Sequence, residues 1–286
     1  MTFFELFKSS FLLLQKEQLE FSEFDLRYFI CSIFDISHEK FLLTYHDHIN
    51  DHQKLDTFHQ SFSQLLKGCP MAYLLESELF FSRSYYCPQG VLIPRCETEL
   101  LVEQVSAYIS KLNFSECLVF ECGSGTGCIS IELALRHSQI SVKSFDIDLK
   151  AIDVAKKNAE KFAVPNVTFF HGDFFDYDFS KISTTKNVIL VSNPPYVSEK
   201  EWDQISLGIK NHEPKQAFVS SKNGFDHLFK LIDISTTFSF PSFFEIGFNQ
   251  SDTLFSYVNK RFNPYFIKDY QGINRVLCIG DLSETS

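Results

Sequence analysis

The sequence predicts an α/β fold in which an open, mainly parallel sheet is covered by helices and preceded by a small helical domain. Three observations predict it. From about Thr98 onward, apolar runs of strand length alternate with helical patterns, as in parallel strands joined by crossover helices. A glycine-rich turn, Cys122-Gly-Ser-Gly-Thr-Gly127, falls between one such run and the helical pattern that follows it. Another run, Val188–Val191, stops at Asn193-Pro194-Pro195-Tyr196, where two prolines without N–H groups cannot continue a central strand.

The elements follow in chain order. Helical spacing of apolar residues over Phe3–Gln18, Phe24–Phe34 and Leu55–Leu66 predicts a helical domain at residues 1–75. His46, His48 and His52, with Asp47 and Asp51, have irregular spacing in a polar stretch and read as a loop or helix cap, so no metal site is expected. The Tyr-, Phe- and Ser-rich stretch Ser77–Ile93 alternates in the strand manner and predicts a hairpin within a linking segment, residues 76–97. Residues 98–286 form the sheet domain. Its five successive strands begin at or centre on Leu118, Val142, Val167, Val188 and Phe243, and two further strands lie around Phe266 and Val276. The polar tail Asp281–Ser286 is expected to fray.

Composition narrows the function classes. A chain of 286 residues, 44% hydrophobic, has enough apolar material for one large core and a smaller module. Phenylalanine is abundant, at 33 residues. Even so, no stretch reaches the roughly 18 uncharged apolar residues of a membrane span. Met1–Leu14 carries Glu5 and Lys8 and reads as an amphipathic helix, not a signal peptide. The eight cysteines form no Cys-x-x-Cys pair and read as reduced core thiols of a cytoplasmic protein. A net charge of −10 and a pI near 5.4 disfavour broad nucleic-acid binding. Lys156, Lys157 and Lys161 fall on the outer face of one helix and read as a solvated face.

Two motifs carry chemistry. Where the chain leaves the sheet at Asn193-Pro194-Pro195-Tyr196, the carbonyls of Asn193 and Pro194 are bare. Asn193 adds a neutral side-chain oxygen and Tyr196 a flat ring, a combination suited to a planar –NH2 group. Upstream, Gly123, Ser124, Gly125, Thr126 and Gly127 let the backbone approach a cofactor at a helix N-terminus. Asp146, about 20 residues further on, is placed to accept from a ribose, while Asp148 is free to cap the next helix. Glycine spacing alone leaves a dinucleotide open. Glu121 at the strand end favours S-adenosylmethionine, whose ammonium group it can pair, because the same carboxylate would repel a pyrophosphate.

The chain resembles the release factor glutamine methyltransferases, which use S-adenosylmethionine to methylate the side-chain amide nitrogen of the Gln in the Gly-Gly-Gln loop of class 1 peptide chain release factors. Beyond the two motifs above, the matching residues are Pro70-Met-Ala-Tyr73, Val91-Leu-Ile-Pro-Arg-Cys-Glu-Thr-Glu99, Glu213-Pro214, Gly224-Phe-Asp226, Glu245-Ile-Gly247, Gln250 and Asn274-Arg275. They cover the chain from about residue 70 onward. The Pro-Arg-x-Glu-Thr-Glu segment discriminates best, since methyltransferases of nucleic-acid amines share the Asn-Pro-Pro-Tyr type of motif. Departures are Glu121, where the family commonly has Asp, Phe174, where an aromatic, often Trp, lies against the adenine, and Ser220-Ser221, where glycines are common.

The resemblance implies a class I methyltransferase, Rossmann-like, with a seven-stranded sheet and an antiparallel edge strand. It assigns substrate recognition to the helical domain. It also implies a class 1 release factor as partner. From the net charge no stable nucleic-acid complex is expected, and the chain is expected to be a monomer. An amide nitrogen is a poor nucleophile because its lone pair is delocalised, so positioning must do most of the work. Asn193 and Pro194 are expected to accept the two N–H groups, with Tyr196 packed on the amide plane. Arg95, Glu97 and Glu99 are expected to form a buried ion-pair hinge supporting the site. Alternatives are a ribosomal-protein glutamine methyltransferase, an adenine-amino methyltransferase on RNA or DNA, and a non-catalytic adenosylmethionine-binding protein.

Overall fold

A computed structural model describes residues 1–19, 21–112, 117–182, 187–258 and 262–280. The expected frayed tail, Asp281–Ser286, lies outside them. The chain divides into two units, Met1–Ser77 with Ser206–His212, and Glu78–Ile205 with Glu213–Ser286.

The first unit is helical: α1 Phe3–Lys16, α2 Glu23–Phe34, α3 His38–Leu43, α4 His52–Leu65 and α5 Met71–Leu74. Its starts are written in the sequence. Thr2 and Glu5 form a capping box on α1, Ser22 and Asp25 another on α2, and Asp51 caps α4 by accepting from the Lys54 N–H. The histidine-rich stretch therefore ends in a helix cap. Leu6, Phe29, Ile30, Phe41 and Phe58 are fully buried at the centre of this unit's core.

The boundary between the units falls at the start of a hairpin, β1 Ser77–Phe80 and β2 Arg83–Tyr86. There follow α6 Glu97–Lys111, β3 Cys117–Cys122, α7 Cys128–Arg136, β4 Ile140–Asp146, α8 Leu149–Lys161, β5 Val167–His171 and β6 Asn187–Ser192. Next come the short helices α9 Glu199–Trp202, α10 Leu207–His212, which groups with the first unit, and α11 Ser221–Gly224. The chain then forms α12 Asp226–Phe238, β7 Ser242–Glu245, α13 Ser251–Tyr257, β8 Tyr265–Lys268 and β9 Asn274–Ile279.

Seven strands form one sheet in the order β5-β4-β3-β6-β7-β9-β8, parallel from β5 to β7, with β9 antiparallel to both neighbours. The two late strands thus make the expected antiparallel margin. The strand running against the others, β9, lies one place in, and β8 is outermost. Alternation along the strands splits the core. Val119, Val142, Ile189, Val191 and Phe243 face α6, α7 and α8, while Leu118, Phe120, Leu190 and Phe244 face α12 and α13.

Strand order reverses at β3, with β4 and β5 on one side and β6 and β7 on the other. In open α/β sheets, ligands bind in the crevice at the carboxyl ends of the strands flanking such a switch point. Here that crevice lies past Cys122 and Ser192, between the two motifs singled out by the sequence.

Candidate active site

The glycine turn after β3 is built by left-handed backbone at Gly123, Gly125 and Gly127, a conformation that side chains with a Cβ rarely adopt. The N–H groups of Gly123 and Ser124 donate to the Phe145 carbonyl at 2.8 and 3.0 Å, anchoring the turn to β4. Asp146, at the end of β4, is held from both sides. Its Oδ2 accepts from the Gly125 N–H and its Oδ1 from the Asp148 N–H, each at 2.9 Å. Burial raises its pKa against the pull of these bonds. Asp148 caps α8 by accepting from the Lys150 N–H at 2.9 Å.

A cavity opens beside this turn. It is lined by Gly123, Gly125, Asp146, Phe174, Asn193 and Pro195, together with Asp148, Asp173, His227, Lys230 and the strap Gly90–Leu92. Phe174 is buried and meets Phe145 edge-on, with ring centroids 5.6 Å apart.

Glu121 corrects the sequence reading. Its carboxyl does not line the cavity, because Cys122 faces the cavity and Glu121 points to the opposite side of β3. There Ser130 of α7 donates to Oε2, and Ser144, its register partner on β4, donates to the same oxygen at 2.5 Å. Oε1 has no partner among the described residues. Burial pushes this carboxyl up to about 8, against the two serine bonds. Ser124 and Thr126 are likewise buried and absent from the lining, as is Gly127, whose added Cβ would lie 3.1 Å from Ala155. These residues shape the turn from beneath.

The Asn193-Pro194-Pro195-Tyr196 segment is fixed from behind. Ser192 Oγ donates to the Cys122 carbonyl at 2.7 Å, tying the end of β6 to β3. The Tyr196 carbonyl accepts from Gln250 Nε2 at 3.0 Å, and Gln250 Oε1 accepts from the Gly247 N–H at 2.8 Å. A Cβ added at Gly224 would lie 2.3 Å from the Tyr196 carbonyl oxygen, and one at Gly247 3.0 Å from the Tyr196 ring. The matching residues Gly224, Gly247 and Gln250 therefore form the seat of this segment. The Asn193 and Pro194 carbonyls accept no hydrogen bond within the described residues, and Pro194 is buried. Pro194 and Tyr196 are not among the cavity-lining residues, whereas Asn193 and Pro195 are.

Sequence reasoning gave no role to Thr98 or Glu245, which the fold brings to the same place. Asn193 Nδ2 donates to Thr98 Oγ1 at 3.0 Å, Thr98 Oγ1 donates to Glu245 Oε2 at 2.7 Å, and the Tyr196 hydroxyl donates to Glu245 Oε1 at 3.1 Å. Glu245 is 1% exposed, and burial raises its pKa while the bonds from Thr98 and Tyr196 lower it. The available signal was its position. An acidic residue closing β7, next to β6, must lie beside Asn193.

The ion pair expected among Arg95, Glu97 and Glu99 does not form: the Arg95 guanidinium, 32% exposed, lies 2.5 Å from Glu213 Oε1 instead. Glu213 Oε2 also accepts from the Ile93 N–H at 3.3 Å. Glu99 instead accepts from the Phe81 N–H at 2.7 Å, and Glu97 from the Cys96 thiol at 3.3 Å, so neither joins that pair.

Comparison with known proteins gives this geometry a lineage. Residues 97–209 match the family model of the Methyltransferase small domain. The chain is 36% identical over 198 residues to the release factor glutamine methyltransferase of Bacillus cereus, covering 69% of each protein. It is 34% identical over 222 residues to that of Bacillus subtilis, covering 74% of this chain and 75% of the relative. Among solved structures, the hMettl16 catalytic domain in complex with MAT2A 3'UTR hairpin 6 superposes with a TM-score of 0.54 at 13% identity, over 77% of this chain and 81% of that one, a likeness of fold alone. With its sheet order, its Asn-Pro-Pro-Tyr segment at the switch point and these relatives, the chain belongs to the release factor glutamine methyltransferase family.

Proposed function

We propose that this chain transfers a methyl group from S-adenosylmethionine to the side-chain amide nitrogen of the glutamine in the Gly-Gly-Gln loop of class 1 peptide chain release factors, acting in the cytoplasm. The observation that carries this reading is the pair of unused acceptors at Asn193, which lines the cavity, and the neighbouring Pro194. The Asn193 and Pro194 carbonyls accept nothing within the described residues, and the Asn193 amide donates one N–H to Thr98 while its oxygen accepts nothing there. A primary amide offers two N–H groups in one plane and matches such a patch.

The cavity fits this cofactor better than a dinucleotide. Its lining places Asp146, Asp148 and Asp173 against the single lysine Lys230, a negative field that favours a cationic ligand and repels a pyrophosphate. Asp146 would hold the ribose hydroxyls, Phe174 would pack on the adenine, and Gly123 and Gly125 would admit the amino-acid end. With Glu121 sealed beneath the turn, that end would meet backbone and not the Glu121 carboxylate. When bound, the cofactor supplies an electrophilic methyl group on a sulfonium.

This chain's residues then act on the glutamine. Asn193 Oδ1 and the Pro194 carbonyl accept the two N–H groups, fixing the amide plane and stabilising positive charge as it grows on nitrogen. Tyr196, held at its hydroxyl and its carbonyl, packs on that plane. The methylated nitrogen is strongly acidic and loses its proton to water. In the helical unit, Phe24, Leu43 and Leu207 are 63%, 85% and 71% exposed, apolar side chains that a folded protein substrate could cover.

Asp146→Ala is expected to weaken adenosylmethionine binding by about 1.5–3 kcal/mol, roughly 10- to 150-fold, the worth of a hydrogen bond to a charged group. Titration calorimetry checks it, with NAD as a ligand that should give no heat. Tight NAD binding with none for adenosylmethionine would overturn the cofactor assignment.

A further inference from the structure

We propose that Thr98 and Glu245 are positioning residues that decide which end of the Asn193 side-chain amide faces the acceptor, an inference that rests on the amide-methylating function above. The two ends of an asparagine amide have nearly the same shape and opposite hydrogen-bonding character. Only the oxygen can accept an N–H from the substrate. The flipped rotamer would set NH2 against NH2 and hold nothing, so the catalytic geometry needs a device that tells the ends apart.

The network supplies one. Glu245 is buried at the end of β7 and, as a carboxylate, only accepts. Burial works against its charge, which the hydroxyls of Thr98 and Tyr196 and the more distant Arg275 favour; Arg275, on the adjacent strand β9, itself pairs with Asp269 at 3.0 Å. Thr98, 2% exposed in the first turn of α6, has one hydroxyl proton, which goes to Glu245 Oε2 at 2.7 Å. What Thr98 then offers to Asn193 is lone pairs alone. Those select the NH2 end, at 3.0 Å, and turn Oδ1 away from Thr98. The other Glu245 oxygen takes the Tyr196 hydroxyl at 3.1 Å. One buried carboxylate therefore fixes both ends of the Asn193–Tyr196 segment. This gives the Thr of the Pro-Arg-x-Glu-Thr-Glu stretch a task distinct from that of Arg95, which pairs with Glu213.

The test uses the full-length protein with Thr98→Val, which keeps the shape and removes the hydroxyl, and Thr98→Ser, which keeps the hydroxyl. Thr98→Val is expected to lower kcat on an intact release factor about 10- to 100-fold, the scale of a misplaced catalytic contact. KM and adenosylhomocysteine affinity should stay within about threefold, and Thr98→Ser should return kcat to within about threefold of wild type. A wild-type kcat in Thr98→Val, an equal loss in Thr98→Ser, or a loss confined to KM would overturn the proposal. A second readout needs neither substrate nor activity. The Asn193 side-chain NH2 signal in a 15N-labelled protein, assigned by its disappearance in Asn193→Ala, should exchange slowly with water in wild type and Thr98→Ser and rapidly in Thr98→Val. Rapid exchange in wild type would overturn the proposal even if a variant failed to fold. A wild-type protein with slow exchange that leaves the glutamine unmodified would retain the orienting network and refute the proposed function instead.

Discussion

Asn193→Ala is expected to lower methyl transfer about 100- to 1,000-fold, the usual cost of removing one preorganised electrostatic contact to a developing charge. Adenosylmethionine affinity should change little, since the cofactor is assigned to Asp146, Phe174 and the glycine turn, and the Asn193 backbone is retained. Asn193→Asp should not rescue. One carboxylate oxygen would face the lone pairs of Thr98 Oγ1, and the added charge would lie close to the buried Glu245. Single-turnover kinetics with calorimetry on the same preparations separate the two effects. Near-normal turnover of Asn193→Ala would remove the basis of the mechanism.

Gly224→Ala should be nearly as damaging, although Gly224 is assigned no contact with substrate. Its Cβ would lie 2.3 Å from the Tyr196 carbonyl oxygen, on a backbone with φ of +88°. Relief must come from moving the Asn193–Tyr196 segment, and a shift of about 1 Å can cost roughly 100-fold in rate. Overpacking of this kind also destabilises by about 1–3 kcal/mol. Gly272→Ala is the matched control, since Gly272 has a φ of +79° and open space where its Cβ would stand. The comparison isolates the clash from the backbone penalty. Equal rates in the two variants, measured with thermal unfolding, would show that Gly224 does not seat the segment.

What could be read from the sequence was local. The five strand positions of the parallel sheet follow from short apolar runs, and the glycine turn and the Pro-Pro exit announce their own backbone conformations. The cap at Asp148 follows from its place one residue before α8. Helices α3 and α5, of 6 and 4 residues, are too short for an apolar period to show. The insertion of β9 between β7 and β8 is a choice among long-range pairings that no local pattern encodes.

The same limit governs the site. Period-two alternation places Cys122 and Glu121 on opposite faces of β3, but a sequence does not say which face meets the cavity, and Glu121 was assigned to the wrong one. Arg95 finds Glu213 across 118 residues, Thr98 finds Asn193 across 95 and Glu245 across 147. Family matches marked these positions, but only the fold shows what each one touches.

Recognition of a primary amide by the acceptors at Asn193 and Pro194 can be read from incubation of the purified chain with isotopically labelled adenosylmethionine and an intact class 1 release factor, followed by mass spectrometry of the Gly-Gly-Gln peptide. One methyl group is expected on the glutamine side-chain nitrogen. None is expected on a factor carrying Glu in place of that Gln, because a carboxylate has no N–H to offer Asn193 and Pro194. Equal labelling of the Glu form, or label found on adenine of added RNA with the release factor untouched, would contradict that recognition.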